Sequence, residues 1–403
     1  MTIRQNCHSG SHFLFNHPYI HHLQFVFQEP GGISEPSKLS PEGYYESAMD
    51  IAITFFLLLA VAFLVFFKAK KVETDQSFFD KNYTTAIKGI CAIVVIFVHF
   101  PPSMQNPLQD AVGSFAYIAV TFFFLVSAFG MHYSLLRTPE YLSNFWVGRL
   151  SALIIPNLFV NIVTYILSML RFGKMPSWQL LICINHYVVI LLEYCLLFYV
   201  LAWALRKGFI RSRGLFDILL IIGVTASSLI IYLCNEDNVV SAQLGWCFER
   251  MGLVWGILLY RFFDTFKQWM ASSAMRKIMI FGLSSAILGG AYLTFKDVWF
   301  WGEYLVKIML GLSILILVFL CTSRVVVTSR FSKILGGISF EIYLSHGAIT
   351  YLIIGLFPSL TSGVAIASTI VATICISYVI HLFDAPLVKF CRKICQFRHK
   401  QLI

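Results

Sequence analysis

Long apolar runs, separated by short polar segments, recur along the chain from residue 51 to residue 383. Because about 20 apolar residues in a helix cross the hydrocarbon core of a bilayer, these runs predict spanning helices. The pattern therefore predicts an all-α, polytopic membrane protein with about eleven transmembrane helices. The predicted spans lie near residues 51–67, 87–101, 113–133, 150–170, 186–205, 215–234, 245–262, 277–295, 302–321, 334–356 and 363–383.

The composition supports a membrane protein and argues against a set of soluble domains. Of the 403 residues, 58% are hydrophobic and 12% are charged, and the mean hydropathy is +0.77. A soluble domain carries about 25% charged residues, so this chain has too few to cover several such domains. The net charge of +10 is better explained by loops that orient the helices than by nucleic-acid binding. We expect membrane lipid as a partner and no binding of nucleic acid.

The distribution of Lys and Arg between successive loops predicts the orientation of the chain. The spans divide the loops into two alternating sets, and five of the 30 Lys and Arg residues fall in the set containing the N-terminal segment. Since cytoplasmic loops are enriched in Lys and Arg, that set is expected outside, which gives an N-out, C-in topology. Residues 394–403 then form a basic cytoplasmic tail.

Residues 1–48 differ from the rest of the chain. They are polar and rich in turn-forming residues, and they contain five of the eleven histidines at spacings that match no metal-ligand pattern. We expect either a disordered tail or upstream sequence read through to a start at Met49. Residues 49–77 are then a first transmembrane helix with its cytoplasmic linker.

The second predicted span carries Lys88 at its cytoplasmic end and His99 near its outer end. Eleven residues make about three helical turns, so the two side chains lie close to one face, roughly 16 Å apart along the axis. Ionisable groups inside a span are costly, which makes both residues functional candidates. The structural alternatives are a snorkelling lysine and a hydrogen-bonded interfacial histidine.

Four further residues are polar and lie on a helix face or at a membrane boundary. Ser127 belongs to a cluster of small residues that favours close approach of another helix or of a slender ligand. Arg149 lies at the cytoplasmic mouth of the fourth span. Tyr343 and His346 are three residues apart in the tenth span and therefore share a face.

Another group of charges lies about one turn inside the outer end of the seventh span. Glu249 and Arg250 are adjacent there, and they are expected to pair with each other or with a neighbour such as Glu193. A structural ion pair and a functional role both remain open for these residues.

Five segments, in this order, resemble the acyltransferase-3 family of membrane-bound acyltransferases, which modify cell-surface sugars and related acceptors. The segments are KGICAIVVIFVH, FFFLVSAFGM, FWVGRLSALIIPNLF, GGISFEIYLSH and FDAPLVKF. The resemblance covers about residues 78–393 and implies a ten-helix core preceded by one additional helix. The chain departs from the family pattern at three positions: Lys88 replaces an arginine, Ala128 a glycine and Gly148 a basic residue.

The resemblance implies an enzyme that transfers an acyl group, expected to be acetyl, from acyl-CoA to a hydroxyl of a carbohydrate acceptor. Acyl-CoA is then a co-substrate rather than a permanently bound cofactor, and no metal is expected. Three residues are expected to bind the donor: Lys88, Arg149 and Ser127. His99 is expected to act as general base or to carry the acyl group briefly. Oxyanion stabilisation is expected from Tyr343, His346 or Arg250.

The short loops and the absence of appended domains are typical of a bacterial protein and predict a plasma or inner membrane location. Other enzymes of surface-polysaccharide synthesis are expected as partners. The implied acceptors are an exopolysaccharide, a lipid-linked glycan, peptidoglycan or a small metabolite, and succinyl is an alternative to acetyl. Two other functions fit the same intramembrane charges. One is a transporter of acyl groups or lipid-linked sugars, and the other is a non-catalytic subunit of a polysaccharide-export complex.

Overall fold

The computed structural model describes residues 41–71, 78–101, 104–138, 140–234, 246–296 and 298–401, with side chains from residue 48 to residue 394. Residues 1–40 of the expected tail and residues 72–77 of the expected linker lie outside the described residues. The described residues from Glu46 onward pack as one unit.

The described chain is almost entirely helical. The α-helices are, in order, α1 Pro41–Phe66, α2 Lys81–Ile96, α3 Pro107–Ser114, α4 Tyr117–Arg137, α5 Phe145–Phe172, α6 Gln179–Ile182, α7 His186–Arg206, α8 Arg213–Cys234, α9 Met251–Arg261, α10 Phe263–Ala271, α11 Ala274–Phe295, α12 Lys307–Thr322, α13 Arg330–Gly337, α14 Ser339–Leu356 and α15 Ser362–Gln401. A 3₁₀ turn, Phe97–His99, extends α2, and a π-helical segment, Trp301–Val306, leads into α12. Two short strands, β1 Lys70–Lys71 and β2 Val325–Val326, pair antiparallel.

Within the described ranges, 10 helices are long and apolar enough to cross a membrane. This confirms the all-α, polytopic fold. The candidate spans are Ala48–Phe66, Lys81–His99, Pro107–Arg137, Phe145–Phe172, Gln179–Arg206, Arg213–Cys234, Ala274–Phe295, Trp301–Thr322, Ser339–Leu356 and Ser362–Ile394. The N-out, C-in orientation stays a prediction from loop charge.

The seventh predicted span, residues 245–262, contains a shorter helix than its hydropathy indicates. Helix α9 has 11 residues, about 16 Å of helix, which is roughly half the hydrocarbon thickness. Residues 246–250 form turns before α9, and Phe262 leaves the helical conformation with φ of −110°. Hydropathy does not register these breaks, so the apolar run extends beyond the helix on both sides.

Helix α9 nevertheless connects the two ends of α8. Ser228, in the C-terminal half of α8, donates a hydrogen bond to the backbone carbonyl of Cys247, just before α9. At the other end, Arg261 Nη1 lies 3.5 Å from Asp217 Oδ2, near the start of α8. The segment therefore runs antiparallel to α8.

Two glycines allow α9 to lie directly against α4. Gly252 and Gly256 are one turn apart, and a Cβ at either position would collide with the backbone carbonyl oxygen of Thr121 or Leu125 on α4. Small residues at this spacing allow two helix backbones to approach closely in a membrane. The pair α4–α9 is therefore a rigid central contact of the bundle.

The membrane-spanning part of α1, Ala48–Phe66, is attached to the core near both of its ends. The buried Asp50 carboxylate accepts hydrogen bonds from the hydroxyls of Thr361 (2.7 Å) and Ser362 (3.1 Å). Near the other end, Ser329 Oγ donates to the carbonyl of Leu64 over 2.7 Å, and β1 after the helix pairs with β2. The helix is thus an integrated part of the fold.

Helix α2 holds the centre of the remaining bundle, packed against α4, α13 and α14, while α14 also packs against α5 and α15. Close approach of α13 to α2 requires Gly336, because a Cβ there would collide with the carbonyl oxygen of Thr85. This packing brings the end of α2 beside the middle of α14.

Candidate functional site

Two histidines from different helices meet at the end of α2. The imidazole of His99, in the 3₁₀ turn, and that of His346, in α14, have centroids 4.5 Å apart at 66°, an edge-to-face contact. The side chain of His99 is exposed, whereas His346 is buried. Gly347 lies next to His99, because a Cβ there would be 4.0 Å from His99 Nδ1, an ordinary contact distance.

The hydrogen bond of His346 defines its tautomer. His346 Nδ1 lies 3.1 Å from the carbonyl oxygen of Ile342, and a carbonyl only accepts, so Nδ1 carries the proton of the neutral ring. Nε2 then holds a lone pair, and no described group hydrogen-bonds to it. The neutral ring of His346 is therefore a proton or hydrogen-bond acceptor beside His99.

Tyr343 extends the line of polar side chains from His346 toward the opposite end of the bundle. Its ring centroid lies 5.8 Å from that of His346, 5.6 Å from that of Phe123 and 4.8 Å from that of Tyr187. Tyr187, the second residue of α7, is buried and was not predicted from the sequence as a site residue. The aromatic contacts hold Tyr343 in one orientation next to the histidines.

A cavity of about 200 Å³ lies beside Tyr343. Its walls come from α2, α4, α5, α7 and α14, and include the predicted donor-binding residues Lys88 and Ser127. The complete lining is Lys88, Phe123, Val126, Ser127, Ala152, Leu153, Tyr187, Leu191, Ser339, Phe340 and Tyr343. The hydroxyl of Ser127 donates a hydrogen bond to the backbone carbonyl of Phe123 over 2.9 Å. Ser127 therefore presents a small side chain to the cavity, and its hydroxyl proton already has an acceptor.

Arg149 lies at a second cavity. This cavity of about 340 Å³ is lined by Thr138, Glu140, Tyr141, Asn144, Phe145, Val147, Gly148, Arg149 and Arg392. Arg149 Nη2 donates to the hydroxyl of Tyr141 over 2.8 Å. Burial raises the pKa of the Tyr141 phenol, with the Arg149 guanidinium opposing that shift, so the hydroxyl is protonated at neutral pH.

The two predicted donor-binding cations, Lys88 and Arg149, thus line different cavities, although both cavities use helix α5. Gly148 and Arg149 line the larger cavity, while Ala152 and Leu153, one turn along, line the smaller. One helical turn rises 5.4 Å. The cavities are therefore neighbours along one helix.

The charges near the start of α9 form a separate ion pair. Arg250 Nη1 lies 2.9 Å from Glu193 Oε2 and 2.8 Å from Ser227 Oγ, which joins the end of the turn before α9 to α7 and α8. Glu249 is buried. The Arg250–Glu193 contact is the neighbour pairing that the sequence allowed, and it connects three segments of the bundle.

A buried acidic cluster that interacts electrostatically with Lys88 was not predicted from the sequence. His381 Nδ1 lies 2.6 Å from Glu341 Oε1 and 3.7 Å from Asp384 Oδ1. Asp384 is 1% exposed, and no described group hydrogen-bonds either of its carboxylate oxygens. Lys88 interacts electrostatically with Glu341. The segment HLFDAP contains a usable signal, since His381 and Asp384 are one turn apart on a helix.

The same cluster contains the donor atoms that a metal ion would need. One atom each from Glu341, His381 and Asp384 lies within 4.8 Å of the others, the one such group found in the described part of the chain. The group holds two carboxyl groups and one imidazole, and Lys88 interacts electrostatically with one of its members, Glu341. An ion pair network explains these contacts without a metal.

Comparison with protein-family models matches residues 81–382, about three quarters of the chain, to the family Acyl_transf_3, described as an acyltransferase domain. The match covers α2 to the first half of α15 and includes His99, Tyr343, His346 and both cavities apart from Arg392. No curated protein and no solved structure matches the chain. The ten spanning helices, the histidine pair and the family match agree, and the chain belongs to the acyltransferase-3 family of multi-pass membrane proteins.

Proposed function

We propose that the protein transfers an acyl group, with acetyl as the expected group, from cytoplasmic acyl-CoA to a hydroxyl of a cell-surface or exported glycan. One observation carries this proposal: a continuous line of side chains leads from Lys88 and Ser127 through Tyr343 to His346 and His99. A thioester entering the smaller cavity would reach the histidine pair at the far end of that line.

The proposed reaction is an acyl transfer with an oxygen nucleophile. The acceptor hydroxyl attacks the thioester carbonyl carbon while His99, the more exposed imidazole, takes the hydroxyl proton. The Nε2 lone pair of His346 stabilises the resulting imidazolium, and the Tyr343 hydroxyl donates to the oxyanion. The carbon–sulfur bond then breaks, and the thiolate of CoA receives the proton from His99. The products are an ester and free CoA.

Separate surfaces serve the two substrates in this proposal. The N-out, C-in orientation assigns the Arg149 cavity to the cytoplasmic side, where CoA is found, and the exposed edge of His99 to the outer side. The phosphates of CoA need cationic partners, and the guanidinium of Arg149 is well suited to bind phosphate. Acyl-CoA is consumed as a co-substrate. We further propose that the protein lies in a bacterial plasma membrane and acts together with other enzymes of surface-polysaccharide synthesis.

Turnover in detergent separates this enzyme from the alternatives. Purified protein is mixed with acetyl-CoA and a panel of glycans, and release of free CoA thiol is measured. We expect glycan-dependent release that is lost in His99→Ala, with the variant matching the wild type in yield and gel-filtration profile. A transporter would instead need a sealed bilayer, and a non-catalytic subunit would give no release with acetyl-CoA or succinyl-CoA in either setting.

A further inference from the structure

Two arginines from distant parts of the sequence face the same cavity. Arg149 belongs to α5 and Arg392 to α15, and both line the open cavity of about 340 Å³. Arg392 Nη2 lies 3.4 Å from the backbone carbonyl of Gly148, next to Arg149. The fold of α15 against α5 therefore brings a second guanidinium to the place where the first one lies.

Neither guanidinium has an acidic partner within 4 Å among the described side chains. Arg149 donates to the neutral hydroxyl of Tyr141, and Glu140, which also lines the cavity, forms no ion pair with either arginine. Two like charges that share a cavity repel each other unless an anion lies between them. With two guanidinium groups and one carboxylate, the lining of the cavity keeps a net positive charge, which favours a bound anion.

The position of this cavity indicates which anion it receives. It adjoins the smaller cavity along α5, and that cavity leads to Tyr343 and the histidines. A donor whose reactive end lies in the smaller cavity would extend its other end toward the two arginines. Guanidinium forks bind phosphate in a bidentate manner.

We infer that Arg392 and Arg149 together form a binding site for phosphate groups of the CoA donor. This inference rests on the proposed function for the identity of the donor. Arg392 lies beyond residue 382, where the family match ends, so the inference adds a binding residue from the C-terminal part of α15. Gly148 leaves room for the ligand, because nothing lies within 4 Å of where its Cβ would be.

The test compares Arg392→Gln with Lys393→Gln, the neighbouring exposed residue, which removes the same charge outside the cavity. Binding of CoA itself is measured by calorimetry on protein in detergent. We expect Arg392→Gln to weaken CoA about tenfold, as for loss of one charge-assisted contact. Arg392→Lys is expected to recover part of that loss, and Lys393→Gln to bind as the wild type does.

A phosphate-free donor distinguishes ligand contact from structural damage. S-acetyl-N-acetylcysteamine carries the acetyl thioester without the phosphates, so its turnover is expected to be equal in the wild type and in Arg392→Gln. Equal CoA affinity in the wild type and Arg392→Gln would overturn the inference while leaving the proposed function intact. Wild-type protein that binds CoA but never releases it from acetyl-CoA would count against the proposed function and not against this site.

An anionic lipid headgroup carries the same phosphate chemistry. Nanodiscs of phosphatidylglycerol and of phosphatidylcholine therefore provide a further comparison of Arg392→Gln with the wild type. If Arg392→Gln lowers retention of phosphatidylglycerol and leaves CoA binding unchanged, the site belongs to lipid and the inference is wrong. Loss of CoA binding to the same extent in both nanodiscs supports it.

Discussion

The ring of His99 lies 4.5 Å from the ring of His346, although 247 positions separate them along the chain. The contact depends on helix α14 packing against α2. Two imidazoles in contact act as a unit if both handle the acceptor proton. We therefore expect the pair, rather than either residue alone, to determine the rate.

A double-mutant cycle tests this coupling. His99→Asn and His346→Asn are each expected to lower kcat by about 10²–10⁴, the range for loss of general-base catalysis. The double variant is expected to be little worse than the single variants, because residues that act as a unit are strongly non-additive. Independent effects that multiply in the double variant would contradict the paired role.

Removal of the Tyr343 hydroxyl is expected to lower kcat with little change in KM for either substrate. The proposed hydrogen bond is made to the oxyanion, so its loss affects the transition state more than substrate binding. Loss of one such donor costs about 10²–10³ in kcat in a well-studied hydrolase. Steady-state kinetics of Tyr343→Phe are compared with Tyr378→Phe, an exposed tyrosine on α15. A raised KM with normal kcat in Tyr343→Phe would assign the residue to binding.

The size of the residue at position 127 is expected to limit the acyl donors. Ser127 lines the cavity of about 200 Å³, and its hydroxyl already bonds to the carbonyl of Phe123. Ser127→Ala is therefore expected to remain active, while Ser127→Leu fills the cavity and raises KM for acetyl-CoA. Competition between acetyl-CoA and succinyl-CoA measures selectivity. A large loss in Ser127→Ala would instead indicate that the hydroxyl takes part in the chemistry.

Helix positions and the general location of the site follow from the sequence because they depend on local patterns. An apolar run predicts a spanning helix, and the three-residue spacing of Tyr343 and His346 predicts a shared face, where their rings lie 5.8 Å apart. The short length of α9 does not follow, because the turn at residues 246–250 and the break at Phe262 leave the apolar run uninterrupted.

Contacts between helices are the part that the sequence does not contain. Neither the segment around His99 nor that around His346 indicates that the two rings touch, because this depends on how α2 and α14 pack. The same limitation explains why Tyr187 was missed and why Lys88 and Arg149 were expected at one site. Arg392 was not predicted as a site residue, because its place beside Gly148 depends on the packing of α15 against α5.

Removal of the His381 imidazole is expected to destabilise the protein. His381 contacts Glu341 and Asp384, two carboxyl groups that are both buried. Removing one partner of a buried charge network leaves the other charges uncompensated, which is strongly destabilising. His381→Ala is expected to lower Tm in detergent by several degrees, and His381→Gln, which keeps a donor, by less. An unchanged Tm in His381→Ala would show that the carboxyl groups are satisfied in another way.

Enlargement of Gly252 is expected to prevent correct folding of the bundle. A Cβ at Gly252 would collide with the carbonyl oxygen of Thr121, so α9 and α4 would have to separate. Gly252→Leu is compared with Gly282→Leu, where nothing lies within 4 Å of a Cβ. Gel filtration of tagged protein from membranes is expected to show aggregated or absent protein for Gly252→Leu alone. A normal profile for Gly252→Leu would contradict the close packing of these helices.

The most direct measurement of the central claim follows a labelled acetyl group. Purified wild type and His99→Ala are incubated in detergent with acetyl-CoA labelled in the acetyl group and with glycans, and the ester products are identified by mass spectrometry. We predict labelled O-acetyl ester on a glycan hydroxyl with the wild type and none with folded His99→Ala. Equal acetylation by His99→Ala, from a preparation matched in yield and gel-filtration profile, would contradict the catalytic assignment.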